Sequence, residues 1–172
     1  MVGKKVVHHL MMSSKDCHYV GGLVNGARIV NQWGDVGTEL MVYVDGDISL
    51  FLGYEDIKFT APVYEGDFME YTGEIIEVGN QSYKCKFEAW KVATMLDRTG
   101  ADMTGIAHTA ATACEPPILC GTATGSLFIA KRTRADPPSP LTATESIAAS
   151  KFHKKKERTA VRSFFLYGQR PA

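Results

Sequence analysis

The hydrophobic pattern along the chain sets out most of its elements. Val6 to Met12 is a short apolar run between Lys4-Lys5 and Ser13-Ser14, and it predicts a first strand. Ser13 to Gly22 is polar and ends in glycine, as a loop does. Leu23, Ala27 and Val30 then recur at spacings of four and three, with Val24 and Ile29 beside them. That periodicity predicts a buried helix over roughly 21–33. Gly34 and Gly37 are expected to end or weaken it.

Asp45-Gly46-Asp47 reads as a turn, Ile48 to Phe59 as a strand, and Phe68 to Val78 as another. Gly79-Asn80-Gln81 has the composition of a hairpin turn. Tyr83, Cys85, Phe87 and Ala89 alternate with Lys84, Lys86 and Glu88, which is the pattern of a half-buried strand. The stretch 97–112 has no periodicity and reads as a loop that runs up to Glu115-Pro116-Pro117. Cys120 to Arg132 predicts a last strand. One early helix followed by hairpin-linked strands gives an α+β class, a five-stranded antiparallel sheet over a single helix.

Charge divides the chain. The 172 residues carry 19 basic and 19 acidic side chains, a net charge of zero. Residues 1–130 hold 9 Lys+Arg against 16 Asp+Glu, or −7, and residues 131–172 hold 10 against 3, or +7. We therefore expect a domain over 1–132 and a basic, Pro-containing extension over 133–172. An acidic body argues against nucleic acid as its partner. No apolar run approaches the roughly 20 residues of a membrane span. The N-terminus lacks the layout of a signal peptide, so the expectation is a cytoplasmic protein. Four scattered cysteines favour free thiols over a disulfide scaffold or a metal knuckle.

No phosphate-cradling loop, nucleophile elbow or zinc-protease motif is present. Two features carry candidate chemistry. Leu50 to Phe59 is an apolar strand interrupted by Glu55 and Asp56. Strict alternation would put Glu55 on one face with Phe51, Gly53, Ile57 and Phe59, and apolar burial would fit its carboxyl for proton transfer. Gly21 and Gly22, at the expected helix start, would offer backbone N–H groups to an oxyanion. Asp16 and His18 lie on the loop that feeds the helix.

The blocks Asn25–Thr38, Phe59–Tyr64 and Gly79–Ser82, with Cys114–Lys131, carry a resemblance. Over nearly all of 1–131 the chain resembles the family of β-alanyl-CoA and 3-aminobutyryl-CoA ammonia lyases, small enzymes of the hot-dog fold. The resemblance implies reversible elimination of ammonia from a β-aminoacyl-CoA thioester. Glu55 would be the acid/base carboxylate, and Asp16, His18, Asp35 and Tyr71 second-rank site residues. It implies no metal and no separate cofactor, since coenzyme A enters as part of the substrate. Lys58, Lys131 and Arg132 are candidate phosphate contacts. A homo-oligomer is implied, at least a dimer and a hexamer as trimer of dimers, with no nucleic-acid or membrane partner. A hot-dog thioesterase and a non-catalytic acyl-CoA-binding module are the alternatives.

Overall fold

The computed structural model describes residues 1–96 and 110–129, all within a compact unit over Met1–Pro137. The order is β1 (Lys5–Met11), a 3-10 turn (Ser14–Asp16), β2 (Cys17–Tyr19), β3 (Leu23–Val24), α1 (Gly26–Asp45), β4 (Leu50–Phe59), β5 (Phe68–Val78), β6 (Ser82–Met95) and β7 (Ala111–Phe128). Five strands form one antiparallel sheet in the order β1-β5-β6-β7-β4, and β2 and β3 form a small ribbon of their own. The single helix over this sheet is the architecture expected of a hot-dog fold.

Helix α1 lies on one face of the sheet. Ile29, Trp33, Val36, Leu40 and Met41 are buried against Tyr71, Ile75, Phe87 and Leu127. Three aromatic rings, Phe51, Tyr54 and Phe87, meet beneath Trp33, with Phe51 and Tyr54 centroids 4.3 Å apart. At its open end the sheet is fixed by a buried ion pair. Lys91 Nζ lies 2.9 Å from an Asp67 carboxylate oxygen and donates to the Pro62 carbonyl at 2.8 Å. Asp67 also accepts from the Tyr64 amide at 2.8 Å and from the Thr94 hydroxyl at 2.7 Å.

The helix differs from its expected span at both ends. It starts at Gly26, where the Asn25 side chain caps the Ala27 amide at 2.9 Å. Gly21 and Gly22 precede it, with left-handed φ of 82° and 73° that no helix accommodates. It then runs through Gly34 and Gly37 to a left-handed cap at Gly46. Gly37 serves close packing here: a Cβ at that position would lie 3.2 Å from the rings of Phe51 and Phe87.

The last strand is longer than expected on its N-terminal side. It begins at Ala111 and passes through Pro116 and Pro117. Pairing steps from Ala93↔Ala113 to Lys91↔Ile118, so the prolines sit in a bulge where no ladder N–H is needed. Most of the expected 97–112 loop, Lys131, Arg132 and the extension from 133 onward lie outside the described residues.

Candidate functional site

Two cavities open on either side of the Leu23↔Tyr64 bridge. The smaller, about 320 Å³, lies at the start of α1 among Tyr19, Asn25, Gly26 and Phe59. The larger, about 780 Å³, is bounded by Met11 and Met12, Ser13 and Ser14, Gly21 and Gly22, Tyr64 to Gly66, Phe68, Met95 and Ala111. Its size falls within the usual range for small-molecule sites. Its described walls are mostly apolar, and none of the described lining residues is basic.

Gly21 and Gly22 are therefore beside a cavity, although the basis expected for them is corrected. They belong to the β2–β3 turn and not to a helix end. The turn is held at Gly22, whose carbonyl accepts from the Glu65 amide at 2.9 Å and from the Cys17 thiol at 3.2 Å. Burial, and then the charge of Glu65, push that thiol above its ordinary value, so Cys17 is a poor nucleophile.

Glu55 does not have the apolar setting expected of it. Register shifts fall between Phe51 and Gly53 and between Glu55 and Lys58, and Asp56 takes a left-handed φ of 52°. The alternation is broken, so Phe51 and Tyr54 turn inward. The Glu55 side chain is 60% exposed and 3.0 Å from Lys84 Nζ, on the sheet face away from α1. A one-residue bulge reassigns every side chain beyond it.

The second-rank residues separate. Asp16 accepts from the Ser13 amide and hydroxyl at 2.8 Å each and lies 2.6 Å from Arg28 Nε. Burial raises its carboxyl, but the Ser13 bonds and the Arg28 charge more than reverse this and leave it lowered. Tyr71 is a core residue with no exposure. Its hydroxyl lies 3.8 Å from Met12 Sδ, and burial pushes its phenol far up. His18 is exposed and packs edge-on to Tyr19. Asp35 is exposed on α1, close enough to add to the burial that pushes the Tyr54 phenol up to about 12. Lys58 is exposed on β4. Among the described residues no three His, Cys, Asp or Glu side chains gather as metal ligands do.

No protein-family model matches the chain. It is 42% identical over 127 residues to the 3-aminobutyryl-CoA ammonia lyase of Acetoanaerobium sticklandii, spanning 74% of this chain and 95% of that enzyme. The chain belongs to this ammonia lyase family. The solved β-alanyl-CoA:ammonia lyase of Clostridium propionicum superposes with a TM-score of 0.71 at 73% identity, over 84% of this chain and 96% of that one. A hexameric hotdog-fold thioesterase of Campylobacter jejuni superposes at 0.57 with 16% identity, over 82% and 92% of the two chains. That distant likeness concerns the fold alone, which is the hot-dog fold. As a family member the chain is a carbon–nitrogen lyase acting on a CoA thioester.

Sequence reading passed over Glu65, which lines the larger cavity. The signal was its place directly after the Phe59–Tyr64 block, in a Glu-Gly-Asp turn.

Proposed function

We propose that this lyase removes ammonia reversibly from β-alanyl-CoA, giving acrylyl-CoA, with a carboxylate as acid/base and backbone amides at the enolate oxygen. Its kinship with the two ammonia lyases carries the reading. The α-proton of a thioester is weakly acidic, so its removal needs a base and a fixed dipole at the carbonyl. The Gly21–Gly22 turn lines the larger cavity and brings main chain without Cβ atoms to its wall, open at Gly21 and beside Glu65 at Gly22. Coenzyme A enters with the substrate, and no further cofactor is required by this chemistry. The described cavity wall holds no basic residue, and Lys58, Lys131 and Arg132 are the candidates for the CoA phosphates.

We also propose that the enzyme is a homo-oligomer. Strand β4 is a sheet edge, and Leu50, Leu52, Ile57 and Phe59 along it are exposed. A long apolar edge of this kind pairs readily with a second copy about a two-fold axis.

The test is direct. Incubated with β-alanyl-CoA, the purified protein should release ammonia and an enoyl-CoA in equal amounts. Release of free CoA thiol without ammonia would assign it as a thioesterase.

A further inference from the structure

We propose that Glu65 is the carboxylate that moves the proton in this elimination. The assignment rests on the lyase reading above. Among the described residues that line the larger cavity, Glu65 supplies the one carboxylate. Its Oε2 lies 3.8 Å from where a Cβ on Gly22 would stand, so acid and glycine turn share one wall. Among the described lining residues there is no lysine, arginine or histidine.

The backbone around Glu65 is held on both sides. Its amide donates to the Gly22 carbonyl at 2.9 Å, and the next amide, Gly66, donates to Met12 at 2.8 Å. Asp67 is locked in the buried pair with Lys91. Gly66 has a φ of 80°, and a side chain there would run into Met95, so the turn tolerates only glycine. A base mounted on so fixed a turn keeps one position relative to the cavity.

The carboxylates singled out earlier, and Glu39, stand outside the described wall of this cavity. Glu55 faces away from α1 toward Lys84. Asp16 is occupied by Ser13 and Arg28, and Glu39 by His8 and Tyr43. Asp35 lies nine residues into α1, roughly 14 Å along the axis from its start at about 1.5 Å per residue.

The steps balance on a single group. The substrate enters with its β-amine as ammonium. The Glu65 carboxylate takes the α-proton, the C–H pair forms a C=C bond to the thioester carbon, and the carbonyl π pair moves onto oxygen as an enolate. As the carbonyl re-forms, the C=C pair shifts to make the Cα=Cβ bond and the Cβ–N bond breaks, so that the ammonium group leaves as neutral ammonia with the electrons of that bond. The proton on Glu65 passes to the ammonia, giving ammonium and restoring the carboxylate.

The experiment uses propionyl-CoA, which has an α-proton but no amine to lose. In deuterated water the full-length protein should exchange that proton, read by NMR. Glu65→Gln should cut the exchange at least about a hundredfold, the scale of a lost acid/base. Glu65→Asp should keep a measurable part of it. Elimination from β-alanyl-CoA should fall in parallel through kcat, with KM changed only a few-fold. Glu65 is exposed, so the variants should melt with the wild type. Wild-type exchange in Glu65→Gln overturns the assignment, as does a loss found in Glu55→Gln instead. If the wild-type protein leaves both thioesters untouched, the lyase reading has failed and takes this assignment with it.

Discussion

Asp16 is held from three sides, by two donors on Ser13 and by Arg28, and it fastens the loop before α1 to the helix. Its carboxyl is lowered in the folded protein. A group with a depressed folded value contributes stability above its ordinary pKa and loses it as the pH falls through the folded value. Urea unfolding should therefore show the wild type losing stability as the pH falls through and below the ordinary Asp range of about 3.9. Asp16→Asn should be less stable than wild type at pH 5 and lose less on acidification. The pair Asp67–Lys91 is buried more deeply. Lys91→Met should cost about 3–5 kcal/mol, because it strands a carboxylate without its cation, and thermal melting would read this directly. At this scale the sequence was half legible. Asp16 and Asp35 stand out as acids near a helix, but nothing in their neighbours says which oxygens are already occupied. Tyr71 reads as a candidate phenol, and only the packed sheet shows it sealed in the core.

The elements were more legible than the side chains. Alternation in β6 and the Gly79–Gln81 turn depend on local chemistry, and the hairpin is where they place it. The errors arose where tertiary packing overrode local preference. Gly34 and Gly37 look like helix breakers, yet α1 runs through both, and at Gly37 the missing side chain lets the helix approach the sheet. The bulges in β4 leave no trace in composition, and they are why Glu55 departs from the strict alternation expected of that strand. Close approach recurs on the sheet side. A Cβ on Gly125 would stand 2.6 Å from the Phe51 ring and 2.8 Å from that of Phe87. Gly125→Ala should thus destabilise by about 1–3 kcal/mol through overpacking, measured by chemical denaturation. A gain in stability would show that the aromatic cluster yields more easily than its contacts imply.

For the whole molecule, the zero net charge conceals an acidic body joined to a basic extension. No described helix is long and apolar enough to cross a membrane. The body presents β4 as an apolar edge, and this is the surface through which we expect copies to associate. Leu52→Lys should lower the sedimenting mass of the assembly while leaving the single-chain fold intact by circular dichroism. An unchanged mass would place the interface elsewhere. The family was legible because its blocks lie where the fold is most constrained, along α1, in the approach to β5 and at the β5–β6 turn. Glu65, the proton-moving group we propose, was not, because it stands one residue past such a block and only the cavity singles it out. The central claim is that this chain forms and breaks a carbon–nitrogen bond on a CoA thioester. The measurement that meets it most directly runs the reaction backwards, following acrylyl-CoA on addition of ammonium chloride. The account predicts that the enoyl absorbance falls at a rate set by ammonium, that β-alanyl-CoA accumulates, and that no CoA thiol is released. Thiol release at a rate indifferent to ammonium would contradict it.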